Sequence, residues 1–197
     1  MTRRAGLGTA LALTALLTGA CTVATPSDPT GDRPSIEQFR AQNAVAYDLT
    51  TPPTAAELGV PEGRDSAIFD RDGPQYWDVA FQLPDGATFS TGRAIAVTVF
   101  LSDVPGGLLN EVGINVNADD EAQLSDQLRR DVDQLGIDPA RVESYLASTN
   151  RLTNQILDGR EFGYLSTSIE LRPQSGEPGG VAMNYKFFWE PGIAPGA

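Results

Sequence analysis

The chain has 197 residues, with 26 acidic and 14 basic side chains and a formal net charge of −12 at neutral pH. This charge argues against a nucleic-acid partner, because proteins of that class need a basic surface for the phosphates. The chain has no histidine and a single cysteine, Cys21. It therefore lacks the commonest general base and metal ligand and cannot form an internal disulfide. The length suits one domain with its own core.

The first 21 residues have the pattern of an export signal. Arg3 and Arg4 form a short basic segment, and residues 5–18 are an uncharged run rich in Ala and Leu. A run of 14 residues fits the hydrophobic part of a secretory signal and is shorter than the roughly 20 residues of a membrane span. The run leads into Gly19-Ala20-Cys21, which resembles the lipobox of bacterial lipoproteins.

The resemblance implies that residues 1–20 are removed and that Cys21 is acylated and becomes the mature N-terminus. Acylation also accounts for an unpaired thiol in an exported protein, and several acyl chains give stable anchoring to a lipid bilayer. We therefore expect localisation in the cell envelope, at the outer face of the cell membrane. The alternative is an ordinary signal peptide cleaved near Ala20 or Ala24. The export route, general secretory or twin-arginine, stays open.

Composition divides the rest of the chain into three parts. Residues 21–34 are rich in Pro, Thr and Asp and are predicted to be a flexible tether after the lipidated cysteine. Residues 35–190 are predicted to form a single α+β domain. Residues 191–197 are a tail rich in Pro and Gly. No apolar stretch after the signal is long enough to span a membrane.

The domain is predicted to begin with a helix, a turn and a loop. Ser35, followed by Gln38 three residues later, has the pattern of a capping box and predicts a helix over residues 36–48. Prolines end this helix, and residues 54–57 are predicted to form one further helical turn. Residues 59–75, rich in Gly, Asp and Pro, are predicted to be a loop.

The middle of the chain contains the clearest strand patterns. Apolar and polar residues alternate over residues 76–83 and 94–101, and a short third strand is predicted over 111–117. The side chains predicted to face the core are Trp77, Val79, Phe81, Leu83, Ile95, Val97, Val99, Leu101, Val112, Ile114 and Val116.

Two helices and a hairpin are predicted to follow. The first helix covers residues 120–135, has Asn117 or Asp119 as its cap and carries an apolar stripe of Leu124, Leu128, Val132 and Leu135. The second begins at Asp138-Pro139 and runs towards Gly159. Residues 162–171 and 181–189 are predicted to be the arms of a terminal hairpin, joined by the loop 173–180.

This order of elements predicts an α+β fold in which helices cover one face of an antiparallel sheet of four or five strands. One core is expected to contain residues from both strands and helices. Its predicted members are Trp77, Phe81, Val97, Val99, Leu128, Val132 and Phe187.

The sequence offers few catalytic or metal-binding candidates. Asp70 and Asp72 could supply oxygen ligands or an acid/base pair, and Asn115, Asn117 and Asp119 have the spacing of a calcium loop with Asp126 at its twelfth position. The calcium loop lacks its glycine, and turn formation or helix capping explains both groups better. We therefore expect no catalytic residues, no metal and no cofactor.

A candidate binding surface lies on the side of the sheet away from the helices. Small polar residues alternate there with the core positions, and larger side chains stand among them, namely Tyr76, Phe100, Tyr164, Lys186 and Phe188. Aromatic side chains at a solvent-exposed surface are frequent binding anchors. Lys186, the only lysine of the chain, could attract an anionic ligand. The alternative is an ordinary solvated sheet face.

We therefore expect a membrane-anchored envelope lipoprotein with a non-catalytic binding or accessory domain. Its partner would be an envelope protein or a small ligand. The alternative function is a carboxylate-dependent hydrolase that works without histidine.

Overall fold

The computed structural model describes residues 43–70, 76–102, 107–148, 153–173 and 181–193. In these ranges the chain forms an α+β domain of nine strands and two helices. In chain order they are β1 (Ala44–Asp48), β2 (Ser66–Asp70), β3 (Asp78–Gln82), β4 (Thr88–Ser90), β5 (Ala94–Phe100), β6 (Asn110–Ala118), α1 (Glu121–Leu135), α2 (Pro139–Ala147), β7 (Gln155–Phe162), β8 (Leu165–Pro173) and β9 (Val181–Trp189). The signal, Cys21 and the tether lie outside the described residues. None of the described helices is long and apolar enough to cross a membrane.

The strands form two sheets. The larger sheet has six antiparallel strands in the order β2-β5-β6-β9-β8-β7. The smaller sheet has the order β1-β3-β4, with β1 parallel to β3. The two sheets meet where the backbones of Trp77 and Ala94 exchange two hydrogen bonds of 2.9 Å. The α+β class is therefore confirmed, whereas the predicted count of four or five strands was too low.

The core lies between the six-stranded sheet on one side and the small sheet with helix α1 on the other. The ring of Phe81 in β3 stacks on that of Phe187 in β9, with 4.1 Å between centroids, and Phe89 in β4 packs against the same Phe187. All seven residues predicted to share a core are buried in one cluster. That prediction is confirmed.

Capping residues define where the two helices begin and where α1 ends. Asp120 caps α1 by accepting a hydrogen bond from the Gln123 amide at 2.8 Å, so the predicted caps Asn117 and Asp119 were early by one to three residues. Gly136 ends α1 in the left-handed conformation, as predicted. Asp138 caps α2 with Pro139 in its first turn, also as predicted.

Two predictions for the first part of the domain were wrong. The described end of the predicted helix 36–48 is the strand β1, in which Val45 and Tyr47 are buried and pair with β3. The predicted loop 59–75 contains β2, where Ala67 and Phe69 point into the core. In both segments buried and more exposed side chains alternate with a period of two residues, and the segment pairs with a neighbouring strand. These two features determine that it forms a strand.

The second helix was also predicted too long. Helix α2 ends at Ala147, and the segment expected to continue it towards Gly159 contains strand β7. An irregularity between Asp158 and Glu161 interrupts the alternation of β7 and hides its strand pattern. A similar irregularity between Ala94 and Ala96 leaves Ile95 only half-buried, although we predicted it to face the core.

Candidate binding surface

The six-stranded sheet has one face packed on the core and a second face, called here the outer face, that carries the alternate residues. Strand pairing places these residues in rows that cross the sheet. One row is Phe100, Glu111, Phe188 and Ser166, and the next is Thr98, Gly113, Lys186 and Ser168, followed by Ala96, Asn115, Asn184 and Glu170.

The centre of the outer face is a network of charged side chains. Lys186 Nζ lies 3.5 Å from Glu111 Oε2 and 3.5 Å from Glu170 Oε2. Arg172 binds the same Glu170 Oε2 at 2.7 Å. Asn154 Nδ2 donates to Glu170 Oε1 at 3.1 Å. Because Arg172 and Lys186 stabilise the ionised form, the pKa of Glu170 is held below its ordinary value.

Three oxygen atoms surround the position where Gly113 lacks a side chain. A Cβ atom there would lie 2.5 Å from Thr98 Oγ1, 3.2 Å from Asn184 Oδ1 and 3.3 Å from Glu111 Oε1. The first of these distances leaves no room for a side chain. The glycine therefore lets these three side chains approach the backbone of β6 closely, beside Lys186, which pairs with Gly113 across the strands.

Asn184 is the most unusual side chain of this group. It is only 7% exposed, and no donor in the described part of the chain bonds to its Oδ1 atom. Asn117 lies two positions after Asn115 in β6. Its Oδ1 atom is also buried and has no donor among the described residues. A buried acceptor without a donor costs free energy. The outer face thus covers two acceptors that are closed to solvent and have no donor among the described residues.

One corner of the outer face is apolar. Phe100 is 46% exposed and Phe188 is half-buried, and they flank Glu111 in the same cross-strand row. Ile68, on the edge strand β2, is 57% exposed and pairs with Thr98. The corner therefore places aromatic rings next to the charged centre.

Three of the five predicted binding residues come together on this face. These are Phe100, Lys186 and Phe188. Tyr164 does not join them, because it lies in the turn after Gly163 and its hydroxyl donates to the Leu49 carbonyl oxygen at 2.8 Å. Its ring meets Trp189 edge-on, with 6.4 Å between the centroids. Burial and the nearby Asp48 raise the pKa of Tyr164.

Tyr76 is also remote from the other three residues. It precedes β3 and accepts a hydrogen bond from Arg93, which also binds Asp119 at 2.8 Å. Arg93 lies just before β5, and Phe100 is the last residue of that strand, so the two ends are about 20 Å apart. Ala80 and Gln82, which alternate with the core positions of the predicted strand 76–83, belong to the small sheet.

The predicted acidic candidates do not form a metal site in the described part of the chain. Asn115 and Asn117 lie in strand β6, and Asp119 is paired with Arg93. No group of three or more metal-binding His, Cys, Asp or Glu residues occurs among the described residues. Asp70 ends β2, whereas Asp72 lies outside the described residues.

A buried acidic residue that the sequence analysis missed is Asp131 in α1. Its Oδ2 atom accepts hydrogen bonds from Tyr185 at 2.5 Å and from Gln127 at 3.3 Å. Burial raises the pKa of Asp131, although these hydrogen bonds oppose the shift. The signal was present, because Asp131 stands three residues after Leu128 on the apolar stripe. The contact joins the helix to the centre of β9.

The carboxylates of Glu111 and Glu170 are close enough together to be compared with the catalytic pair of a glycosidase. Each carboxylate oxygen lies 3.5 Å from Lys186 Nζ, so the two oxygens are at most 7 Å apart, twice that distance. Hydrolysis by such a pair needs one carboxyl group with a raised pKa as the general acid. The pKa of Glu170 is shifted in the opposite direction. The arrangement suits binding better than acid catalysis.

Comparisons with protein families, with characterised proteins and with solved structures find no match for this chain.

Proposed function

We propose that the protein is a lipid-anchored envelope lipoprotein whose domain is a non-catalytic binding module, and that the outer face of the six-stranded sheet is its binding surface. The signal sequence and Cys21 support the anchor. The surface is supported above all by Phe100, which is 46% exposed and lies in one cross-strand row with Glu111 and the half-buried Phe188. Aromatic side chains exposed at a surface are frequent binding anchors.

The carboxylate-dependent hydrolase is the weaker proposal for two reasons. The acid with a raised pKa, Asp131, is 2% exposed and is bonded to Tyr185 inside the core. The paired acids of the outer face, Glu111 and Glu170, are held by Lys186. A purely accessory role would not account for the exposed ring of Phe100 beside the charged centre.

The binding proposal predicts attachment to the envelope through the outer face. A chain with Cys21→Ala, which lacks the acylation site, is expected to bind purified envelope fragments saturably in a sedimentation assay. Adding Phe100→Ala and Lys186→Ala should lower the affinity at least about tenfold, because exposed aromatic and cationic anchors carry much of the energy of an interface. The free energy of unfolding should change by less than about 1 kcal/mol, since neither side chain is in the core.

The matched control removes an aromatic and a cationic side chain elsewhere. Tyr76→Ala combined with Arg129→Ala, the latter exposed on α1, is expected to leave the affinity unchanged. Equal losses in both double variants would contradict the assignment of the surface, as would full binding by the outer-face variant.

A further inference from the structure

Helix α1 carries a carboxyl group into the interior of the domain. Asp131 lies on the buried face of the helix, between Leu128 and Val132, and is 2% exposed. An ionised carboxylate is costly at such a position, because water solvates its charge far better than the interior of a protein does. We propose that Asp131 makes the packing of α1 on the six-stranded sheet pH-dependent, and that the packed helix is more stable when this carboxyl group is protonated.

Asp131 has hydrogen-bond donors but no ion-pair partner in the described part of the chain. Its Oδ2 atom accepts hydrogen bonds from the Tyr185 hydroxyl at 2.5 Å and from Gln127 Nε2 at 3.3 Å. No lysine or arginine among the described residues makes an ion pair with it. Buried charges are normally paired with an opposite charge, so two neutral donors compensate the charge of Asp131 only in part.

Two ionisable groups act on Asp131 from the elements around it. Arg130 of α1 directs its guanidinium to Gln127 Oε1, at 2.6 Å, and acts on the carboxylate only through its more distant charge. Tyr185 of β9 is the second group. Burial and the nearby Asp131 raise the pKa of Tyr185 well above its ordinary value. Its hydroxyl therefore remains protonated and donates at any ordinary pH.

The other elements packed against α1 place no charge on Asp131. From α2, Glu143 binds Arg129 on the exposed side of the helix. From β7, Arg160 binds Asp85. The core-facing residues of β6 are apolar or amide side chains and do not titrate. The local pH response of α1 therefore depends on Asp131.

The direction of the pH effect follows from burial. Burial raises the pKa of Asp131, although the hydrogen bonds from Tyr185 and Gln127 oppose the shift. The folded protein thus takes up this proton at a higher pH than the unfolded chain does. The stability that Asp131 contributes is fully present below the ordinary pKa of about 4, and it is lost as the pH rises through the raised value. Glu143 and Glu170 act in the opposite direction, because their pKa values are lowered.

Hydrogen exchange of the α1 backbone amides at pH 4.5 and pH 7.5 tests the proposal. Asp131→Asn replaces the carboxyl group by a neutral group of the same shape. The protection factor of this variant, divided by that of the wild type, is expected to be roughly threefold higher at pH 7.5 than at pH 4.5, since one pKa unit corresponds to a factor of ten. This ratio cancels the contributions of the other carboxylates. Asp133→Asn, at an exposed position of the same helix, should give the same ratio at both pH values.

A second variant makes the test independent of how well the site tolerates asparagine. Tyr185→Phe removes the hydroxyl that bonds to Asp131 and keeps the buried ring. A hydrogen bond to an ionised acceptor is about twice as strong as one between neutral groups, so the protection of α1 should fall more at pH 7.5 than at pH 4.5. A pH-independent ratio for Asp131→Asn would overturn the proposal. An equal loss of protection at both pH values in Tyr185→Phe would also overturn it.

Discussion

Replacing Phe187 by Ala is expected to lower the free energy of unfolding by about 3–5 kcal/mol, the usual cost of removing a buried aromatic ring. Phe187 is fully buried and its ring contacts both Phe81 and Phe89. These contacts join the six-stranded sheet to the small sheet, so the cavity would open between the two layers. Urea unfolding followed by tryptophan fluorescence measures the effect.

The next residue in the sequence is a matched control. Phe188 has the same side chain but lies on the outer face and is only half-buried. Phe188→Ala should therefore cost less than about 1.5 kcal/mol, since much of its ring is already exposed to water. Similar losses for the two variants would mean that the assignment of the two sheet faces is wrong.

Replacing Cys21 by Ala is expected to move the protein from the membrane fraction to the soluble or secreted fraction. Without the thiol no acyl chains can be attached, and each buried CH₂ group of such a chain contributes about 0.8 kcal/mol to membrane binding. Thr22→Ala, a change at the neighbouring residue, should leave the protein in the membrane. Fractionation and immunoblotting, with mass spectrometry of the N-terminal peptide, measure both variants.

Two results would contradict the anchor. One is a Cys21→Ala chain that sediments with membranes as completely as the wild type in high salt and carbonate. The other is a wild-type protein whose N-terminal peptide carries an unmodified Cys21 or begins at another residue.

The sequence predicted those elements in which one local pattern dominates. In β3, β6 and β9 a buried apolar residue at nearly every second position identifies both the strand and its faces. Helix α1 was predicted well because three features indicate the same helix. They are its apolar stripe, the acidic residues at its start and Gly136 at its end. Strand β1 was missed because the capping-box pattern at Ser35 outweighed a short alternation over five residues.

Part of the candidate surface was predicted correctly from the same alternation of core and surface positions. Phe100, Lys186 and Phe188 were placed on one face because each stands between core positions of its strand. Tyr164 was misplaced because the turn at Gly163 interrupts the alternation, which puts the tyrosine ring against Trp189.

The rest of the surface depends on strand order. Glu111, Lys186 and Glu170 lie on β6, β9 and β8, which are neighbours in the sheet and are not consecutive in the chain. The close approach of Thr98 and Asn184 to Gly113 likewise needs β5 and β9 on either side of β6. Long-range pairing of this kind is not encoded in the pattern of any single strand, so the sequence alone could not predict it.

Chemical footprinting of Lys186 tests the binding surface most directly, because it is the only lysine of the chain and lies at the centre of the outer face. An amine-reactive ester should modify Lys186 several-fold more slowly in intact cells than in the purified protein, whatever the class of ligand. A variant with Arg129→Lys provides an exposed reference lysine on α1, which should react at the same rate in both settings. Equal rates for Lys186 in cells and in the purified protein would contradict the proposal that this face is occupied in the envelope.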